Sequence, residues 1–385
     1  MSTYQEYLKR CRAAQLSVCR GRGAEAVGTL EASELAILRG DQTTARTTVS
    51  ALADPREAYL QAVKAFRHFE DPTFLRGTGI PAAKADWLLP MLRAAGSVAG
   101  VRGDADEVER RARVGAGRGA EAVRAFIIVA NAHRNAGNLE ASRRVLHEAF
   151  ALAARVAPQD QPARRGPDLL FTRRRQAAFR DLLRVADFRR HSVFPCSGTL
   201  LGFYRDQDFI PSDGDVDLGC LDPDGFEAIK AAMRASGCFL LSPGRLPSNF
   251  NARHVTGPKF DVSLYVNRGN GWAKTSHVYE WRFARFALGE LTTDYGRLPA
   301  PAPAEDYLGA MYEDWWVPRS GYDSRIDSPN LTHVSPGEVV LVLASHVLGT
   351  YLEGGNAACA GWRRKLERLP AAMRKDVAGF LAPLE

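Results

Sequence analysis

In the segment DVDLGCL, Asp215 and Asp217 stand two residues apart and alternate with Val216 and Leu218. On a β-strand that spacing sends both carboxylates to one face and the two aliphatic side chains to the other. Carboxylates held together repel, so one is driven to take up a proton unless a cation lies between them. Mg²⁺, or Mn²⁺ in its place, is the natural cation: it is hard, prefers carboxylate oxygen and is usually shared with substrate phosphates. A third acid, Asp261 in KFDVSLYV, lies between Phe260 and Val262 at the start of a strongly β-forming run. An adjacent strand, parallel or antiparallel, would bring it beside the pair. Three acids on two strands form a metal cage for in-line phosphoryl chemistry, with Asp261 the candidate general base. Turn formation, where aspartate is common, accounts for Asp206, Asp208, Asp222 and Asp224, but poorly for a pair alternating with apolar residues.

Just upstream, CSGTLLG places Gly198 and Thr199 between two apolar runs. Gly198 would let a phosphate approach backbone N–H groups, and Thr199 would donate a hydroxyl. A plain Ser-Gly turn explains the same residues equally well.

The elements that must position these groups change character along the chain. Residues 1–165 read as all-helical. AEAVRAFIIVANAHRNAGNLEASRRVLHEAFALAARVAP holds two amphipathic segments around a Gly137-Asn138 turn, the pattern of a tetratricopeptide-type unit. A less regular unit lies at SELAILRGDQTTARTTVSALADPREAYLQAVKAF, and GRGAEAV occurs at both 21–27 and 117–123. An irregular helical domain is the alternative. The Pro/Gly/Arg-rich linker APQDQPARRGPD follows, and then a basic amphipathic helix, LLFTRRRQAAFRDLLRVADFRR. Beyond residue 190 short strand-like runs dominate: SVFPCSG, VDLGCL, CFLLS, KFDVSLYV and RFARFAL. PDGFEAIKAAMRASG reads as a helix with Asp224 as N-cap, and further helices are expected at AEDYLGAMYEDWW, GEVVLVLASHVLGTYL and WRRKLERLPAAMRKDVAGFLAPL. The fold class is therefore α+β: a helical-repeat-like domain over 1–165, then an α+β domain with a small mixed sheet over 166–385.

The 385 residues are 45% hydrophobic and 25% charged, which suits a globular chain and excludes disorder. No apolar run reaches the roughly 18 residues of a membrane span, and the polar start MSTYQEYLKRCRAAQ lacks a secretory apolar core. Six scattered cysteines without a CxxC pair suggest reduced thiols rather than disulfides or zinc. A cytoplasmic protein is the expectation. The net charge of +7 is uneven, since residues 151–190 carry 10 Lys/Arg against 4 Asp/Glu. That stretch could meet anionic lipid at the inner face of a membrane or an acidic acceptor, or present a solvated face. Its Phe171, Phe179 and Phe188 fall at helical spacing and read as core, not as a base-stacking platform, so no nucleic-acid partner is expected.

Together, GTLLGxxR, FIP and DxDxD, followed by an aspartate in an apolar frame, resemble the LicD/fukutin family. The matching residues are Gly198, Thr199, Leu200, Leu201, Gly202, Arg205, Phe209, Ile210, Pro211, Asp213, Asp215 and Asp217. EDYLGAMYEDWWVP is similar to the Tyr/Trp segment these proteins carry downstream. The resemblance, over about 190–320, implies a nucleotidyltransferase-type fold and a CDP-linked alcohol donor carrying choline, ribitol or glycerol. It also implies a glycan or glycolipid hydroxyl as acceptor. Asp215 and Asp217 match the family's metal pair and Asp261 its third acid; Arg205 would neutralise phosphate or pair with an aspartate. The family's IPWDDDID is IPSDGDVD here, with Ser212 for tryptophan and Gly214 for the middle acid. The helical half, outside the resemblance, would hold the acceptor, a membrane-bound precursor or a protein partner. Two other readings share these residues: nucleotidyl transfer from a nucleoside triphosphate, and a non-catalytic helical scaffold with a degenerate transferase domain.

Overall fold

The computed structural model describes residues 3–19, 28–83, 85–156, 169–319 and 321–384. The first GRGAEAV copy, the linker 157–168 and the expected domain boundary at 165/166 lie outside the described residues.

Helices fill the amino-terminal half: Tyr4–Cys19, Thr29–Leu38, Gln42–Ser50, Pro55–Phe69, Leu88–Arg102, Ala105–Gly115, Ala120–Asn135 and Leu139–Ala153. Local chemistry starts several of them. Asp41, Asp54 and Asn138 each accept a first-turn backbone N–H with their side chains. The Gly137-Asn138 turn forms as expected: Gly137 takes φ 81°, where a side chain would be strained, and Asn138 caps the next helix. Val145, Leu146, Ala149 and Phe150 are fully buried along one helical stripe.

After the helix Leu169–Val185 the described residues form ten strands: β1 (Val193–Pro195), β2 (Asp215–Cys220), β3 (Phe239–Pro243), β4 (Asn249–His254), β5 (Lys259–Asn267), β6 (Gly271–Thr275), β7 (Tyr279–Ala284), β8 (Ala287–Thr293), β9 (Gly296–Ala302) and β10 (Leu331–His333). The fold is α+β with a mixed sheet. β5 is its spine. The first part of β5 pairs in parallel with β2 and antiparallel with β4, and its last three residues pair antiparallel with β6. β1 lies outside β2, β3 outside β4, and β7 and β10 beyond β6, while β8 and β9 form a separate hairpin. RFARFAL, which reads as one strand, is divided between β7 and β8. β4, β6, β9 and β10 escape a pattern reading, because NFNARH, GWAKT, GRLPAPA and LTH have weak apolar runs.

The helix Pro223–Ala235 forms where expected, but its N-cap is Asp222, which accepts from the Gly225 N–H; Asp224 sits in the first turn. Pro223 at the first helical position moves the cap one residue before it. The long helix Pro336–Leu366 breaks at Gly355 (φ 60°, ψ −154°). It packs with Ala371–Leu381 against Ala120–Asn135 and Leu139–Ala153, so one apolar core runs from the amino-terminal helices to the carboxyl-terminal ones. A second core, with Val216, Leu218, Phe260 and Val262, lies under β2 and β5. Polar ties bind the halves: His68 Nδ1 accepts from Leu241 N at 3.2 Å, and buried Glu338 takes Arg134 at 3.1 Å and Arg245 at 2.6 Å.

Gly219 lies where β2 passes between two buried rings. An added Cβ would overlap the Phe194 ring and come within 2.8 Å of Tyr265. Gly219→Ala is expected to lower stability by about 1–3 kcal/mol. An unchanged unfolding midpoint in denaturant would show that the rings can yield.

Candidate active site

Parallel pairing of β2 with β5 sets Asp217 opposite Asp261 and Asp215 opposite Lys259. Val216, Leu218, Phe260 and Val262 turn into the core below, so the acids face the other way, as alternation demands. Here they line a cleft of about 660 Å³ together with Ser197, Gly198 and Asp213.

Asp213 reaches this cleft because its loop is fastened from beneath. Arg175, fully buried, donates to the Asp213 carbonyl at 2.6 Å and to the Ile210 carbonyl at 2.8 Å. Its guanidinium lies 4.6 Å from the Phe209 ring centroid. A member of the basic helix thus works inside the protein; its neighbours Arg173, Arg180 and Arg184 are exposed. Gly198 makes room for the Asp213 carboxylate, which any Cβ there would overlap. Thr199 is buried and its hydroxyl accepts from Asp217 N at 2.9 Å, so it holds β2 rather than facing the cleft. Arg205 chelates Asp206 with two bonds of 2.8 Å and donates to the Trp315 carbonyl at 3.2 Å, away from the four acids. Tyr312 lines the cleft, Trp315 packs on the core and Trp316 is exposed.

The group that pattern reading missed is Lys274, on β6. Its ammonium donates to Ser197 Oγ at 3.0 Å and lies 3.4 Å from Asp217 Oδ1. Burial alone would lower its pKa, but Asp217 holds it above the ordinary lysine value. Ser197, at φ 48°, sits in the sparsely populated left-handed region to receive that bond. Its N–H donates to the Tyr307 hydroxyl at 3.3 Å, which is 2.7 Å from that of Tyr265. Nothing in GWAKT marks Lys274; only the β5–β6 turn-back carries it to the acids. Arg134, Arg245, His277 and Arg325 make the farther wall basic.

One ammonium does not balance four carboxylates. Burial, then Asp217 and Asp215, push Asp213 and Asp261 up to about 7. Asp215 is raised as well, by burial and by Asp217. Buried oxygen donors with unrelieved repulsion fit a hard divalent cation. Among the described residues no three acid, imidazole or thiol side chains converge on one point. The fit therefore rests on donor type and charge, with Asp215, Asp217 and Asp261 the residues that would hold the ion.

Residues 191–286 match the family model described as LicD/FKTN/FKRP, nucleotidyltransferase domain. The chain is also similar to ribitol-5-phosphate transferase FKTN of Mus musculus, 28% identical over 149 residues, which are 35% of this chain and 32% of the mouse protein. It thus spans about a third of the length of that curated relative. The family match holds β1 to β7, and with them the four acids and Lys274; the amino-terminal helices lie outside it.

Two variants separate attraction from repulsion. Asp217→Asn leaves Lys274 buried without its partner and is expected to cost about 3–5 kcal/mol. Asp261→Asn removes a repelled carboxyl. With folded pKa values near 7 against 3.8, Asp213 and Asp261 stabilise the fold at low pH, and that contribution is lost as pH rises from about 4 through 7. In chelator-treated protein, the melting temperature of Asp261→Asn should therefore gain on wild type between pH 5 and pH 8. A constant difference across that range would contradict the repulsion described.

Proposed function

We propose, on the premise that residues 191–286 form a LicD/fukutin-type nucleotidyltransferase domain, that this protein transfers a phospho-alcohol from a CDP-linked donor to a glycan hydroxyl and releases CMP. The observation that carries the reading is the placement of Asp215, Asp217 and Asp261 on two paired strands, facing a cleft whose other wall is basic. The mouse relative's printed activity makes ribitol phosphate the first group to test.

The acceptor oxygen attacks the phosphorus that bears the alcohol. A new P–O bond forms, the P–O bond to CMP breaks, and CMP departs with the bonding pair. Asp261 accepts the hydroxyl proton, since its carboxyl lies on the ladder directly opposite Asp217 and lines the cleft. A divalent ion held by Asp215 and Asp217, with Asp261 beside them, would supply charge neutralisation at the phosphates. Lys274 fixes Asp217 through their ion pair and adds a positive charge at the floor of the cleft. Arg134, Arg245 and Arg325 can meet the remaining phosphate charge, and Tyr312 offers an aromatic wall beside it. Arg175 acts from below by holding the Asp213 loop.

Thermal shift with CDP, CTP, ATP and UTP, each with and without Mg²⁺, tests the donor class. A ligand at about 100 times its dissociation constant should stabilise by roughly 2.7 kcal/mol. A Mg²⁺-dependent shift with CDP, absent in Asp215→Asn, is expected, and Asp261→Asn should then lower CMP release from CDP-ribitol by about 10²–10⁴-fold. A shift confined to triphosphates would replace this reading with nucleotidyl transfer. No shift with any nucleotide would leave the scaffold reading standing.

A further inference from the structure

A second cavity, of about 1060 Å³, opens between the amino-terminal helices and the β3–β4 edge. It is separate from the cleft that holds Lys274, yet Asp215, Asn251 and Asp261 line both. Its other charged walls are basic: Arg12, Arg67, Arg93, Arg174, Arg253 and Lys259, with Lys64. Lys64 is neutralised by the buried Glu34. The other six have no ion pair among the described residues, and they come from six different elements. A single helix with a solvated basic face does not produce that convergence.

Arg67 is the most telling of them. It lies on Pro55–Phe69, is half-buried, and has no carboxylate within ion-pair reach among the described residues. Burial and the neighbouring Arg253 hold its guanidinium below the ordinary arginine value. Among the described residues the Arg253 side chain donates to the Gly257 carbonyl, at 3.3 Å, and to no carboxylate. A cation buried against a like charge costs stability unless something negative joins it. Arginine forks favour phosphate and carboxylate as that partner. The two acids in the cavity, Asp215 and Asp261, are offset in part by Lys259 and form no ion pair with the five arginines among the described residues.

We propose that this cavity is the acceptor site: it binds an oligoanionic glycan, one carrying phosphate or carboxylate groups, and leads its hydroxyl to Asp261 by a path distinct from the donor cleft. The role of acceptor rests on the phosphotransfer reading above; the binding of an oligoanion does not. The amino-terminal helices thus build one wall of a substrate site, with the catalytic sheet as the other.

The test uses the full chain in metal-free buffer, with calorimetric titration of tripolyphosphate and of oligogalacturonate as the phosphate and carboxylate probes. At least one probe should bind. Arg67→Gln and Arg253→Gln should each weaken it about tenfold while leaving Mg²⁺-CDP stabilisation intact, and Lys274→Met should leave probe binding within about twofold. Arg93→Gln, at an exposed position, guards against misfolding as the cause and should also weaken the probe. Arg67→Gln should raise the melting temperature, because it removes a half-buried charge held against Arg253. The proposal is overturned if neither probe binds, if the arginine variants bind like wild type, or if Lys274→Met abolishes binding. It is also overturned if a short single-stranded RNA binds more tightly than both probes through the same arginines. Probe binding that follows the arginines while CDP fails to bind would defeat the donor reading and leave the oligoanion site in place.

Discussion

The parallel ladder between β2 and β5 brings Asp217 and Asp261 to the same level, and the repulsion it creates governs what surrounds them. Asp215 and Asp213 add to the same field, and the strands' other faces are packed too tightly for the acids to retreat. Two cations of the protein bear on that charge. Lys274 is buried against Asp217. Arg175 clamps the carbonyls of the Asp213 loop without touching its carboxylate. The remaining excess is left for protons or a divalent ion. Such residual frustration is costly in a structural core and is characteristic of functional sites.

The scaffold bears that cost through packing that reaches well beyond β2 and β5. The amino-terminal helices share one apolar core with the carboxyl-terminal pair, and Glu338 binds two arginines that line the cleft, Arg134 and Arg245. Arg134, on an amino-terminal helix, thereby becomes a wall residue of the cleft beside the acids. The region outside the family match is not an appendage: its helices contribute to both cavities that meet at Asp261.

Polar placement follows two different rules in the two cavities. Around the cleft that holds Lys274, arginines are paired: Arg134 and Arg245 with Glu338, Arg325 with Asp323. Pairing pre-orients them and limits the charge offered to a ligand. In the second cavity the arginines have no ion pair among the described residues, which leaves their charge for an anion.

Alternation in DVDLGCL and in KFDVSLYV was sufficient by itself to place three acids on one face of two strands, because the two-residue period of a strand needs only local backbone geometry. The helical first half, the Gly137-Asn138 turn and the α+β class were legible for the same reason: periodicity and turn chemistry are local. The role of Asp222 as cap was readable too, since Pro223 follows it, although Asp224 drew the eye. Lys274 and Arg175 were not legible. GWAKT carries no motif, and its lysine matters only because β6 folds back on β5; LLFTRRRQAAFRDLL shows several arginines, and nothing along the chain says which one is buried beneath a loop 35 residues away. Nor could the sequence show Thr199 turned inward to hold Asp217 N, or Arg67 and Arg253, far apart in the chain, facing one cavity. Pairing across strands and packing between halves depend on contacts between distant segments, so those assignments belonged to the tertiary structure alone.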